Sequence, residues 1–149
     1  MGKHFAAPIN HLLAGTPGPV HLIDPVFAGG KVHALCKTVD LAESDVNSGD
    51  VIVWDVLPKG AVPLAMAFLA SASMGATATL DVGSAATPAK YRAAATFTTA
   101  NAPVLFGKAG ALGVATDAAE TLQSVIAAAD LPAIGTLTFI ALYTLPDGA

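Results

Sequence analysis

The chain has 149 residues, and only 12% of them are Asp, Glu, Lys or Arg. Ordinary soluble domains carry roughly 25% charged residues, so this chain has few charges with which to keep a lone monomer in solution. The net charge is −4 and no run of basic residues is present, so we expect no nucleic-acid partner. The composition favours a single domain that buries part of its surface against copies of itself or another protein.

Neither a disulfide nor a membrane segment is predicted. The single cysteine, Cys36, cannot form an internal disulfide, and its apolar surroundings predict an inert, buried thiol. Residues 60–80 carry no charge and are long enough to span a bilayer. However, Pro63, Gly75 and several Ser and Thr residues interrupt this stretch, and no basic or aromatic cluster flanks it. We therefore expect no membrane partner.

Residues 1–30 are predicted to form an extended N-terminal arm. The prolines Pro8, Pro17, Pro19 and Pro25, together with several glycines, prevent any long regular element here. Apolar side chains recur between them, so the segment is poorly suited to free solvent. We expect it to lie along a neighbouring subunit, and the candidate partner-interface residues are Phe5, Ile9, Leu12, Leu13 and Phe27.

Residues 31–149 are predicted to form a second unit built from strands. The segment KVHALCKTVDL alternates, with Val32 and Cys36 on one side and His33 and Lys37 on the other. DVNSGD is typical of a turn, and VIVWDV after it is typical of a buried strand. LPKG predicts a second turn. AVPLAMAFLA follows as a return strand, in which Pro63 requires an edge position or a bulge.

The second half of the chain mixes clear and ambiguous signals. Residues 76–82 alternate with a period of two between glycines, which predicts a strand. Thr87 and Pro88 predict the start of a short helix that runs to about Ala95. Residues 120–129 fit helical and strand spacing alike. We favour a strand there, because the strongly strand-like residues 136–145 suggest a hairpin mate.

The tally is seven or eight strands with short links. The predicted fold class is mainly β: a β-sandwich or jelly-roll-like antiparallel domain with an extended N-terminal arm and one or two short helices.

No constellation of catalytic or metal-binding residues is evident. His4, His11, His21 and His33 lack the spacing of a compact metal site. DVNSGD lacks the carboxylate ladder and closing glutamate of a calcium loop, and GKAGALG at 107–113 is neither a dinucleotide fingerprint nor a P-loop. Asp81 stands without a second carboxylate. The sequence predicts no catalytic residue, no cofactor and no metal.

Four segments occur in a recognisable order: SGDVIVWDVLPKGA, GATATLDVGSA, a short Ala-rich stretch with Tyr91, and GTLTFIALYTLPDG. This order resembles small virion structural proteins of tailed bacteriophages and phage-like gene transfer agents, over Ser44–Gly148. Such proteins are capsid decoration, cement or head-accessory subunits, usually with β-sandwich or jelly-roll domains, and they offer no catalytic residues to transfer. The arm before Gly30 lies outside the resemblance.

The resemblance implies a structural virion protein that decorates or cements a capsid. It would be made in the host cytoplasm and lie on the capsid surface, bound to the major capsid protein and to itself as a trimer or other symmetric cluster. The alternative is a tail, neck or head-fibre structural protein. A third reading, of a different class, is a small-ligand-binding or hydrolytic β-barrel enzyme, which requires a deep apolar pocket with convergent polar groups.

Overall fold

Eight strands make up the regular structure of residues 31–145, the part of the chain that the computed structural model describes. They are β1 (Val32–Asp40), β2 (Val51–Leu57), β3 (Val62–Ala70), β4 (Thr79–Val82), β5 (Arg92–Thr96), β6 (Val104–Phe106), β7 (Glu120–Ala127) and β8 (Thr136–Thr144). The mainly β fold class predicted from the sequence is therefore confirmed. The expected short helices are wrong, because none occurs in residues 31–145.

The strands form two antiparallel four-stranded sheets. Sheet I has the order β1-β8-β3-β6, and sheet II has the order β2-β7-β4-β5. Strand β1 pairs with β8, β2 with β7, β3 with β6 and β4 with β5. Among residues 31–145, strands β1 to β4 therefore pair antiparallel with strands β5 to β8, in a two-sheet β-sandwich.

Aromatic side chains from both sheets fill the space between them. Trp54 of β2 stacks on Phe139 of β8, with ring centroids 5.3 Å apart. Phe68 of β3 lies 5.8 Å from both of these rings. Trp54 Nε1 donates a hydrogen bond of 2.8 Å to Ser124 Oγ, so both buried polar groups are satisfied. Trp54 is therefore an anchor of the core.

Strand β3 contains the bulge that Pro63 predicts. The pairing of β3 with β8 shifts register between Pro63 and Ala65, so Leu64 has no partner residue and is exposed. The bulge accommodates a residue that lacks a backbone N–H donor. The uncharged residues 60–80 thus contribute this strand, and no helix in residues 31–145 is long and apolar enough to cross a membrane.

The helix expected to run to about Ala95 is replaced by a turn and strand β5. Ala89 has a positive φ of 58°, which a right-handed helix does not allow. The Tyr91 N–H donates a bond of 2.8 Å to the Val82 carbonyl, so β5 is paired with β4 from its start. Tertiary pairing therefore overrides the local helix signal of this segment.

Gly83 fixes the path of the turn that precedes β5. In this turn the Ser84 N–H donates to the Thr87 carbonyl, and the Thr87 N–H donates back to Ser84 Oγ, both at 3.1 Å. A Cβ at Gly83 would lie 2.4 Å from the Thr87 carbonyl oxygen, closer than van der Waals contact permits. Only glycine allows the turn to fold this tightly onto the strand.

Residues 120–129 adopt the favoured strand conformation as β7, up to Ala127. The expected hairpin between this strand and residues 136–145 is wrong, because β7 belongs to sheet II and β8 to sheet I. Ala128 has a positive φ of 70° at the point where the chain leaves β7. The link from there to Thr136 carries the chain across the sandwich to the opposite sheet.

Two expectations about burial are also wrong. Cys36 is exposed, because its side of β1 faces away from the core. The β2 segment is only half buried: Ile52 and Trp54 point inward, whereas Val51 and Val53 are exposed. Strand β2 lies at the edge of sheet II, and its side chains are alternately exposed and buried. Its composition suggests a strand that is buried on both sides.

Candidate interaction surface

The partner-interface residues predicted from the sequence lie outside the described residues. Phe5, Ile9, Leu12, Leu13 and Phe27 all belong to residues 1–30, so their role stays a prediction. The structure describes the surface of the sandwich instead.

Sheet I has an apolar face on each side. In β8 the side chains of Leu137, Phe139, Ala141 and Tyr143 are buried in the core. Because side chains alternate along a strand, the intervening residues point to the other side. We call that side the outer face of sheet I. Its residues are Val32, Ala34, Cys36 and Thr38 of β1, Thr138, Ile140, Leu142 and Thr144 of β8, Ala65, Ala67 and Leu69 of β3, and Leu105 of β6.

The centre of the outer face is a row that crosses all four strands. Cys36 pairs with Ile140, Ile140 with Ala67, and Ala67 with Leu105. Neighbouring side chains in such a row are close enough to contact one another. Ala67 is buried between its neighbours, whereas Leu105 is 75% exposed. The row is therefore apolar, and it ends at the exposed Leu105 of β6.

The outer face carries almost no charge. Among the described residues, Asp40 at the end of β1 is the one charged residue on this side of the sheet, and it pairs with Thr136. The other polar groups are threonine hydroxyls, such as the Thr38 and Thr138 Oγ1 atoms, which are hydrogen-bonded at 2.8 Å. A flat, uncharged sheet face is typical of a surface that another polypeptide covers.

Charged groups lie instead at the margins of the sandwich. At the β1/β2 margin, Lys37 Nζ lies 3.2 Å from Asp55 Oδ2 and joins the two sheets. The hydrogen bond from the Val56 N–H and the contact with Lys37 lower the pKa of Asp55 below its ordinary value. Both side chains are largely solvated, so the pair is worth at most about 1 kcal/mol.

The opposite margin is closed by Arg92 of β5. Its guanidinium lies over the rings of Phe68 and Phe106, 5.6 and 5.8 Å from their centroids. It also donates hydrogen bonds to the carbonyl oxygens of Leu80, Ala95 and Thr96. Burial lowers the pKa of Arg92, and the nearby carboxylate of Asp81 opposes that shift. Arg92 thus ties sheet II to sheet I where the sandwich would otherwise open.

Asp81 has a structural role in sheet II. Its side chain is largely buried and accepts a 2.7 Å hydrogen bond from the Val125 N–H. The carboxylate thereby takes the place of a backbone carbonyl between β4 and β7. This contact satisfies the buried carboxylate of Asp81.

A second polar cluster lies where β5 and β7 begin. Lys90 Nζ contacts Glu120 Oε2 at 2.5 Å and lies over the ring of Tyr91, 5.1 Å from its centroid. Burial works against the charge of Lys90, but its contacts with Glu120 and Tyr91 prevail and raise the pKa of Lys90. Burial also raises the pKa of Tyr91, whose hydroxyl has no hydrogen-bond partner.

Groups that could hold a metal ion or line a pocket are few among residues 31–145. Residues 31–145 contain no group of three or more His, Cys, Asp or Glu side chains that could hold a metal ion. His33, the described histidine, stacks on Tyr143 at 5.3 Å. An open depression of about 250 Å³ at one end of sheet I is lined by Leu69, Ala70, Ser71, Asn101, Thr136 and Thr138. These lining side chains include no acid, base or histidine.

Sequence reasoning missed the outer face of sheet I for an identifiable reason. The alternation in β1 separates its two sides, but the side that packs against the core through Leu35 and Val39 also carries His33 and Lys37, so composition favours the wrong side. Strand β8 is apolar on both sides. Which side faces the core depends on the strands that pair with them, and the local pattern does not contain that information.

Three solved structures contain chains with this fold. One is in the capsid of Ralstonia phage GP4, with a TM-score of 0.62 and 24% identity over 78% of this chain and 85% of that chain. A second is in the acidic stable capsid structure of Helicobacter pylori bacteriophage KHP30, with a TM-score of 0.60 and 13% identity over 78% and 89%. A third is in the cyanophage Pam1 capsid asymmetric unit, with a TM-score of 0.58 and 22% identity over 98% and 100%.

These likenesses show the fold. No protein-family model and no curated protein matches the sequence. The expectation that this chain shares its fold with phage virion proteins is confirmed, because the matches cover most of each chain.

Proposed function

We propose that this chain is a structural protein of a phage or phage-like virion, which decorates or cements the capsid by binding the major capsid protein and copies of itself. The observation that carries the proposal is the shared fold with chains of three phage capsid structures, one of which matches over 98% of this chain and 100% of the other. The protein acts on the capsid surface, without a catalytic step or a cofactor.

Two features of the chain support a role in assembly. The charged fraction of 12% leaves much of the surface without repulsive or solvating groups. The outer face of sheet I adds an almost uncharged apolar surface that includes the exposed Val32, Leu105 and Leu142. Burying apolar area at roughly 25 cal/mol per Å² would stabilise each contact in a shell, and contacts repeated by symmetry would reinforce one another.

The arm of residues 1–30 supplies the second contact in this proposal. Phe5, Ile9, Leu12, Leu13 and Phe27 dock on neighbouring subunits. Each such side chain contributes about 1.5–3 kcal/mol when fully buried. The sandwich of residues 31–149 is the unit to which this arm is attached.

The test is binding to preformed shells of the major capsid protein from the same phage. Full-length protein and a chain without residues 1–30 are sedimented with the shells, and the bound copies are counted. We expect the full chain to saturate at a number comparable with the shell subunits, and the shortened chain to bind at least about tenfold more weakly. A full-length Ile134→Ser variant, which changes an exposed apolar residue outside the outer face, should bind normally.

The outcomes separate the components of the proposal. No binding of the full chain would remove the decoration role. A small fixed number of copies per particle would instead place the protein in the neck, tail or a head fibre. Equal binding of the shortened chain would remove the role of the arm and leave the role of the sandwich.

A further inference from the structure

We propose that the outer face of sheet I is the surface that receives the N-terminal segment Phe5–Leu13 of a neighbouring copy. This inference rests on the proposed function, because it requires several copies to lie side by side. It identifies the contact surface on the neighbour, which the proposed function leaves open. The contact would link each subunit to the next around a symmetric cluster.

The size of the outer face favours a segment over a whole domain as its occupant. Three strands of nine residues and one of three, about 4.8 Å apart, cover roughly 500 Å². A stable contact between two folded proteins needs about 800 Å² on each partner. Two copies packed face to face through this surface alone fall short of that area. A segment attached to an already neighbouring subunit does not need so much, because the attachment raises its effective concentration.

The chemistry of the segment matches the face. FAAPINHLL, from Phe5 to Leu13, contains no Asp, Glu, Lys or Arg, and the face opposite it is lined by alkyl groups, threonines and one thiol. Phe5, Ile9, Leu12 and Leu13 can cover the exposed Leu105 and the half-buried Ile140. Apart from Asp40 at the end of β1, no Asp, Glu, Lys or Arg side chain of the described face or of the segment would have to lose its water.

The length of the connecting chain favours a neighbour. Leu13 lies 19 residues before Val32, the first residue of β1, and a chain of that length reaches about 60 Å when extended. Pro17, Pro19 and Pro25 occur in this connection, and prolines stiffen a linker and extend it. A domain of this size has a radius of gyration of only about 13 Å. A connection of this length is therefore long enough for the segment to reach beyond its own sandwich to the next one.

The alkylation rate of the Cys36 thiol shows whether the outer face is covered by another segment. It is the sole cysteine of the chain, it is exposed, and it belongs to the central row of the outer face. The rate at which N-ethylmaleimide alkylates full-length protein, followed by mass spectrometry, reports how much of the time the face is open. We expect the rate to fall at least about tenfold as the protein concentration is raised and the cluster forms.

Two matched variants of the full chain test the segment. The variant Ile9→Ser, Leu12→Ser, Leu13→Ser should keep the fast rate at every concentration. The control Val20→Ser, Leu22→Ser, Ile23→Ser changes three apolar residues elsewhere in the arm and should show the same slow rate as the unchanged chain. Protection that survives in the first variant, or is lost in the control, overturns the assignment to Phe5–Leu13.

A mixing experiment tests the origin of the segment. The receiving chain carries the three serines at positions 9, 12 and 13 and keeps Cys36, whereas the donor chain carries Cys36→Ser and keeps its segment. Adding donor should slow alkylation of the receiving chain by about tenfold. Failure of the donor to protect Cys36 in the partner would mean that the segment covers its own sandwich, or nothing, and would overturn the proposal.

These experiments distinguish failure of this inference from failure of the proposed function. Protection by the donor is measured without shells, whereas decoration is measured by binding to them. If the donor protects Cys36 but the chain does not bind shells, the inference stands and the decoration role fails. If Cys36 becomes protected only when shells are added, the major capsid protein covers this face and the inference is wrong.

Discussion

Leu137 and Leu142 are the same residue type on the same strand, β8, but they belong to opposite faces of sheet I. Leu137 is fully buried in the core, whereas Leu142 is 36% exposed on the outer face. The same contrast holds for the next two residues: Phe139 stacks on Trp54 of sheet II, whereas Ile140 lies on the outer face between its strand neighbours Cys36 and Ala67. Both faces are apolar, and they differ in what covers them.

The two faces of sheet I can contribute to different processes, folding and association. Apolar groups on the inner face leave water when the chain folds, so they contribute to the free energy of unfolding. Groups on the outer face stay partly in contact with water in the folded monomer and can contribute only when a second polypeptide arrives. Sheet I, which is apolar on both sides, therefore has one face that stabilises the fold and one that, in our proposal, serves association.

The largest expected effect is the difference in free energy of unfolding between two leucine variants of β8. Leu137→Ala should lower the free energy of unfolding by about 2–5 kcal/mol, because it leaves a cavity in a packed core. Leu142→Ala should change it by less than about 1 kcal/mol, because little packing is lost at an exposed site. Urea unfolding of both variants, monitored by the fluorescence of Trp54, gives the two values. Similar losses in both would show that the outer face already contributes to folding.

The next effect concerns a buried polar pair on the core side. Ser124→Ala removes the acceptor of the Trp54 Nε1 hydrogen bond and leaves a buried N–H without a partner. We expect a loss of about 1–3 kcal/mol in the free energy of unfolding. A Trp54→Phe, Ser124→Ala double variant separates the terms. Its cost should be smaller than the sum of the two single costs, since the orphaned donor is then absent.

The polar cluster of Lys90 and Tyr91 predicts a smaller effect on the free energy of unfolding, at alkaline pH. The folded state raises the pKa of Lys90 above 10.5 and that of Tyr91 above 10.0. The folded protein therefore holds protons that the unfolded chain has released. This contribution to stability is complete below about pH 10 and is lost as the pH rises through the folded pKa values.

The alkaline effect is measured by urea unfolding between pH 8 and pH 11. Tyr91→Phe removes a buried hydroxyl without a partner, so its stability at pH 8 should equal or exceed that of the unchanged chain. Its loss of stability above pH 10 should be smaller. An unchanged alkaline slope in Tyr91→Phe and in Lys90→Met would show that this cluster does not titrate as described.

The sequence predicted what is local and missed what depends on pairing. Strands β1, β3 and β8 and the bulge near Pro63 follow from alternation and from the chemistry of proline. Strand β5 was mistaken for a helix, because Thr87 and the alanines after it carry helix signals while the reason for a strand lies in β4. The hairpin assigned to β7 and β8 failed for the same reason, since adjacency in sequence does not determine which sheet a strand joins.

The candidate surface was still harder to predict. The apolar arm was visible from its composition, with Phe5 and Leu12 among its candidates. The outer face of sheet I was not, because it is assembled from four strands separated by up to about a hundred residues. Cys36 illustrates the difficulty: an apolar context is the usual sign of a buried thiol, yet here it marks a face that the monomer leaves open.

The smallest expected effect concerns a hydrogen bond on the outer face. The Thr38 and Thr138 hydroxyls are hydrogen-bonded at 2.8 Å, the same length as the buried bond between Trp54 and Ser124. Thr138→Val keeps the shape of the side chain and removes one partner. Water can satisfy the hydroxyl that is left, so the free energy of unfolding should change by no more than about 0.5 kcal/mol. If Thr138→Val costs as much as Ser124→Ala in parallel urea titrations, the outer face is shielded from water in the monomer, and the division between a folding face and an association face is wrong.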